Sequence, residues 1–158
     1  MSDGSRMRRR RFLALAAAAG VLPAAWLSLP VPARAGLPAV AVYKSPWCGC
    51  CGAWVKHMRA AGFDLRVTEQ EDLQPLKARL GVPPALQSCH TALVDGYVVE
   101  GHVPAADVVR LLRSRPAAAG LSVPGMPVGS PGMETGAPPQ RYEVILFSDR
   151  GGEVYARY

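Results

Sequence analysis

The chain has no uninterrupted apolar run of the roughly 20 residues that a membrane-crossing helix needs. The candidate run from Phe12 is broken by Pro23 and again by Pro30. It also lacks a Ser-His-Asp arrangement, a phosphate-cradling glycine loop and a carboxylate pair of recognisable spacing. Hydrolytic and phosphoryl-transfer chemistry therefore have no visible machinery. Nor is there a real excess of positive charge beyond the start. Six of the 18 Lys and Arg and one of the 12 Asp and Glu fall in residues 1–35, leaving 12 basic against 11 acidic residues after them. The high isoelectric point reports the start of the chain, and nothing in it argues for a nucleic-acid or membrane surface.

That start has the organisation of an export signal. Arg8-Arg9-Arg10-Arg11 precedes the apolar run, and Ala33-Arg34-Ala35 offers small residues where a signal peptidase cuts. Arg9-Arg10-Arg11-Phe12-Leu13 resembles a twin-arginine signal, and an ordinary secretory signal with a very basic start fits equally. A retained N-terminal anchor is the remaining alternative. Residues 1–35 are read as the signal, and 36–158 as one domain with a modest core, working outside the cytoplasm.

Within that domain the pattern predicts an α/β fold. Val40-Ala41-Val42-Tyr43 is β-branched and apolar, as a buried strand is. A helix is expected over 53–61, with Trp54, Val55 and Met58 on one face and Gly62 at its end. A strand over 63–68 follows, then a helix over 72–80 with Asp72 as N-cap and Gly81 as stop. Val82-Pro83-Pro84 imposes an extended loop that delivers Ser88-Cys89-His90. Thr91 to Val94 and Tyr97 to Glu100 flank Asp95-Gly96, a hairpin signal. A helix over 104–113 begins with Pro104 in its first turn. The stretch 121–139, rich in Pro, Gly and Met, is expected to lack regular structure, and 140–158 to form a terminal hairpin around Asp149-Arg150-Gly151-Gly152. This order suits a thioredoxin-like sandwich, and a generic small α/β sandwich fits it as well.

Chemistry concentrates in Trp47-Cys48-Gly49-Cys50-Cys51-Gly52, which holds three of the four cysteines. Cys48 and Cys51 have Cys-x-x-Cys spacing at a helix N-terminus, where the helix dipole favours the thiolate. Cys50 stands between them. A third thiol beside a redox pair invites disulfide scrambling, whereas three thiolates from one turn suit a soft metal. Cys89, just before a strand, is expected to face this turn and supply the fourth sulfur. Adjacent Cys50 and Cys51 cannot easily pair with each other. Two ordinary disulfides, such as Cys48–Cys51 with Cys50–Cys89, are the bland alternative. Crowded, bridging thiolates rank copper(I) ahead of zinc, and the spacing does not match common iron–sulfur patterns.

The runs Tyr43-Lys44-Ser45-Pro46-Trp47-Cys48-Gly49-Cys50-Cys51, Ser88-Cys89-His90-Thr91-Ala92 and Val123-Pro124-Gly125-Met126-Pro127-Val128-Gly129-Ser130-Pro131-Gly132-Met133-Glu134 resemble a family of exported metal-binding proteins. That family was once catalogued only as a domain of unknown function and includes the CopG copper-resistance proteins. The resemblance covers residues 38–158 and implies a thioredoxin-like fold with a Gly/Pro-rich loop and a C-terminal hairpin extension. It implies a periplasmic role in copper handling, with cysteine-bridged Cu(I) in a polynuclear arrangement at Cys48, Cys50, Cys51 and Cys89. Copper ions and other periplasmic copper-handling proteins are the expected partners. The rival reading is a periplasmic thiol-disulfide oxidoreductase with Cys48 as nucleophile and Cys51 resolving.

Supporting residues are weighed on their chemistry. His90 is expected to point away from the sulfur of Cys89 in an extended segment, yet to be an accessory ligand or a tuning residue. Met126 and Met133 are accessory thioether ligands or apolar lid residues. Met58 is read as core, and His102, at a strand end, as a surface or hydrogen-bonding residue. Trp47 is expected to shield the sulfur turn. Lys44 is weighed as a thiolate-stabilising charge against an ordinary solvated lysine.

Overall fold

Val40, Val42 and Lys44 alternate with half-buried neighbours along β1 (Val40–Lys44), the period-2 pattern of a strand with one face in the core. The computed structural model describes residues 36–158. The expected export signal over 1–35, with its cleavage near Ala35, lies outside the described residues. From β1 the chain crosses through α1 (Gly49–Ala60) to β2 (Leu65–Glu69), which pairs parallel with β1. After α2 (Gln74–Arg79) and a single 3-10 turn, Pro84–Leu86, β3 (His90–Val94) returns antiparallel to β1. Strand β4 (Tyr97–Glu100) folds back on β3 through Asp95 and Gly96, both at positive φ, the two-residue hairpin turn expected there. Helix α3 (Ala105–Ser114) leads to β5 (Gly120–Ser122), which pairs parallel with β4, and β6 (Glu143–Ser148) and β7 (Gly151–Arg157) complete the order β2-β1-β3-β4-β5-β6-β7.

Both faces of this seven-stranded sheet are covered. Cys51, Trp54, Val55 and Met58 recur at helical spacing and are the buried face of α1. Trp54, Val55 and Met58, together with Val108 and Leu111 of α3, pack on Val42, Val94, Val99 and Leu121 of the sheet. Each such large side chain contributes about 1.5–3 kcal/mol by leaving water. Leu93 and Val98 point to the other face and meet Val82, Leu86 and Phe147. The terminal hairpin docks on α3, where Arg110 stacks on Tyr155 at 3.7 Å and the Tyr158 hydroxyl donates to Asp107 at 2.7 Å.

Several expected boundaries are corrected. Helix α1 starts at Gly49, four residues before the expected start, because the Cys48 sulfur serves as its N-cap. Asp72 does not cap α2. Its carboxylate accepts from the Gln74 N–H at 2.8 Å, a local turn two residues on, and Leu73 occupies the cap position. Pro104 precedes α3 as its cap residue, with extended ψ, rather than lying in the first turn. Leu121 and Ser122, assigned to an irregular stretch, are the inner part of β5. Three residues are too few to show a period. Gly120 permits the strand to close up, since a Cβ there would lie 1.8 Å from the Val98 carbonyl oxygen.

One polar cluster is buried under this architecture. Glu100, at the end of β4, accepts from the Lys77 ammonium, from the Thr91 hydroxyl at 2.7 Å and from the Ser88 N–H at 2.7 Å. Lys77 also donates to the Thr91 hydroxyl at 2.9 Å, and both charged side chains are almost wholly removed from solvent. A buried ion pair is costly to break because one charge is left uncompensated. Lys77→Met should therefore cost about 3–5 kcal/mol in urea unfolding. Lys77→Met with Glu100→Gln should recover part of that loss, since the amide oxygen still accepts from Ser88 without carrying charge. A loss below about 1 kcal/mol for Lys77→Met would place the pair among weak surface bridges instead.

Candidate metal centre

Ser45 and Pro46 end β1 and turn the chain, with the Cys48 N–H donating to the Ser45 carbonyl at 3.1 Å. Cys48 then takes an extended conformation (φ −82°, ψ 94°), and its sulfur accepts from the Cys51 N–H at 3.3 Å. A sulfur here does the work usually given to the side-chain oxygen of Ser, Thr or Asp at a helix start. The cap places Cys50 and Cys51 in the first helical turn. The Cys50 sulfur lies 3.4 Å from that of Cys48, and Cys48 and Cys51 are joined as a disulfide, leaving Cys50 and Cys89 free.

The facing wall is the entry to β3. Ser88 is gripped from two sides, its N–H by the Glu100 carboxylate and its hydroxyl by the Gly125 carbonyl. Cys89 follows, its carbonyl oxygen 3.8 Å from the Cys51 sulfur. The four cysteine sulfurs all lie within 4.8 Å of one another. Cys51 is buried, and the other three are half-buried, so the group opens to solvent on one side. Burial, and then the neighbouring Cys50, push the Cys89 thiol up to about 12, which keeps it protonated in the metal-free form.

The two inner histidines differ from expectation. His90 does not point away. Its ring is buried, with centroid 4.4 Å from that of Trp54, and its Nδ1 is 3.3 Å from the Cys89 sulfur. His102 is not on the surface. It is fully buried, with Nε2 3.0 Å from the Cys89 sulfur and Nδ1 2.8 Å from the Pro131 carbonyl. Burial holds both rings below the usual histidine range, so both are neutral imidazoles. The signal for His102 was in the hairpin register. Thr91 pairs with Glu100, and the Gly101 N–H reaches the His90 carbonyl at 3.0 Å. One step further along that register sets His102 opposite Cys89.

The remaining residues separate cleanly. Trp47 is 84% exposed and shields nothing, because the turn that caps α1 directs it outward. Lys44 is occupied by Glu69 at 2.8 Å and the Ser45 carbonyl at 2.9 Å, away from the sulfurs. His57 accepts from the Ala105 N–H at 3.1 Å and so caps α3, while Met58 is core. Met126 is 52% exposed beside Gly125. Met133 is half-buried after Gly132, where a Cβ would lie 2.8 Å from the Cys50 carbonyl oxygen. The 121–139 stretch thus rests directly on the sulfur turn, with Gly132 required at the contact. Among the described residues no helix is long and apolar enough to cross a membrane.

Comparison with known proteins adds a family. Residues 86–133, which hold Cys89, His90, His102 and both loop methionines, match the model described as "Protein of unknown function, DUF411". A search of curated proteins finds no match. Two solved structures, named copper resistance protein copG in forms 1 and 2, are each 46% identical to this chain with a TM-score of 0.73. Each alignment covers 77% of this chain and 98% of the solved one. On that identity and coverage, the chain belongs to the CopG copper-resistance family.

Proposed function

We propose that this protein takes copper(I) as cargo through Cys48, Cys50, Cys51 and Cys89, and serves copper resistance and homeostasis in the periplasm after export by its 1–35 signal. The observation that carries this reading is the mutual approach of the four sulfurs within 4.8 Å. Three come from one helical turn and the fourth from the segment that enters β3, which a buried carboxylate holds at Ser88. Soft thiolates select copper(I), and their crowding suits sulfurs that bridge more than one ion. Zinc is the lesser alternative on the same donors. The order β1-α1-β2 and β3-β4-α3 supports a thioredoxin-like core with β5, β6 and β7 as its extension.

The Cys48–Cys51 disulfide makes this binding conditional. Its reduction consumes two electrons and two protons from an external reductant, such as a dithiol, and yields two thiols. Those thiols, with Cys50 and Cys89, release their protons as the metal arrives. The full chain, reduced without oxygen, should therefore bind copper(I) in a titration read by elemental analysis, and the disulfide form should bind less. Binding of no copper, or retention of a single zinc instead, would defeat the reading.

The same disulfide favours a second reading, thiol–disulfide exchange. Cys48 is the half-exposed sulfur at a helix N-terminus and Cys51 the buried one, which suits nucleophile and resolving roles. The Cys48 thiolate would attack a substrate disulfide, expelling one substrate thiolate, and Cys51 would then displace the second while re-forming Cys48–Cys51. Cys50 separates the two. Cys50→Pro should weaken copper(I) binding by more than the roughly 10–100-fold that loss of an outer-shell partner costs, and leave exchange activity intact or improved. Retained copper with lost exchange would reverse the assignment.

A further inference from the structure

Of the large apolar side chains exposed among the described residues, Val67 and Val154 lie on the edge strands β2 and β7, and Tyr158 is the last residue. The other two, Trp47 and Met126, adjoin the cysteines. Trp47 directly precedes Cys48 and is 84% exposed. Its turn is firmly held. Pro46 fixes its own φ, the Trp47 N–H donates to the Ser45 hydroxyl at 3.3 Å, and the Cys48 N–H to the Ser45 carbonyl at 3.1 Å. Met126 comes from the facing wall. Gly125 pairs in parallel with Ser88, so the register carries the exposed Met126 alongside Cys89. The segments that carry both side chains hold no charge. None of residues 45–55, 80–94 and 116–133 is Asp, Glu, Lys or Arg, and these stretches contain all four cysteines and the loop that rests on their turn. An exposed indole and thioether among segments depleted of charge have the composition of a protein contact face, where Trp is a frequent anchor.

We infer that this face docks a protein dithiol, a partner presenting paired cysteines on an uncharged surface, with Trp47 as its anchor. This rests on the copper reading above, in which Cys48–Cys51 must open before the four sulfurs bind, and it assigns the class of partner that opens it. Cys48 is the sulfur of that pair that reaches solvent, so attack falls there and not on buried Cys51. The partner's thiolate bonds to the Cys48 Sγ as Cys48–Cys51 breaks, and Cys51 leaves as a thiolate and takes up a proton. The partner's second thiol then gives up its proton and attacks the partner's first sulfur, expelling the Cys48 thiolate, which takes up a proton in turn. The partner is oxidised by two electrons and this chain is reduced by two. The Cys51 N–H, 3.3 Å from the Cys48 sulfur, steadies that departing thiolate. A small thiol performs the same exchange with no surface to match against the indole. A charged partner face would lose its water here and find no counter-charge.

The full chain in its disulfide form would be reduced anaerobically by thioredoxin and, in parallel, by equimolar dithiothreitol, with the thiols formed trapped by alkylation and counted by mass spectrometry. Thioredoxin should be the faster reductant of wild type. Trp47→Ala, alone or with Met126→Ala, should slow the thioredoxin reaction about tenfold or more, the scale of a lost aromatic hot spot. The dithiothreitol rate should not change, and Trp47→Phe should recover most of the loss. Equal thioredoxin rates in wild type and variant, equal slowing with dithiothreitol, or thioredoxin no faster than dithiothreitol on wild type each overturn the docking face. Copper(I) binding by the dithiothreitol-reduced chain is read separately. Wild type that binds none overturns the copper reading, whereas Trp47→Ala should bind as wild type does, because its change lies in access to the disulfide alone.

Discussion

Glu100 ends β4 with its carboxylate shut away from water, and a charge so placed must be answered by fixed donors. Three are supplied. The Lys77 ammonium comes from α2, the Thr91 hydroxyl from β3 and the Ser88 N–H from the segment that enters β3. Each donor locks a different element, so one desolvated carboxylate fixes the helix on one face of the sheet and the peptide immediately before Cys89. The fourth sulfur and its two histidines take their positions from this point. The opposite wall of the centre needs less, since the cap made by the Cys48 sulfur sets α1 and with it Cys50 and Cys51.

The centre therefore joins two kinds of local order. The helical turn is built from short-range rules, with three cysteines in four residues and a sulfur standing in for a capping oxygen. The strand wall is built from long-range rules, in which β1, β3 and β4 share an antiparallel register and a buried ion pair holds their mouth. Trp54 connects the two. Its ring lies against His90, and its indole N–H donates to the Val103 carbonyl at 2.9 Å, beside His102. A loop with little regular structure then closes the assembly through Gly125, Pro131 and Gly132.

Where one dominant short-range signal existed, the sequence was readable. Val40 to Tyr43, the Asp95-Gly96 hairpin and the Trp54-Val55-Met58 face each followed from a single periodicity or turn rule. The terminal hairpin was legible for the same reason, though not its attachment, because β5 is three residues long and owes its place to strands on both sides. Trp47 was misjudged from its neighbourhood to the cysteines, since proximity in sequence does not say which way a turn throws a side chain. His102 shows the opposite failure. Its own neighbours gave no cue, yet the hairpin turn had already decided what it would face.

The burial of the donors has a grain. Cys48, Cys50 and Cys89 reach solvent, whereas Cys51, His90 and His102 do not. The donors thus pass from wet sulfurs at the mouth to a dry sulfur and two dry imidazoles behind them. A cation crossing from the mouth inward would shed its water in stages, each lost hydration contact replaced by a donor already in place. Whatever reaches the buried donors must first pass the exposed ones, so the mouth at Cys48, Cys50 and Cys89 governs access to everything behind it.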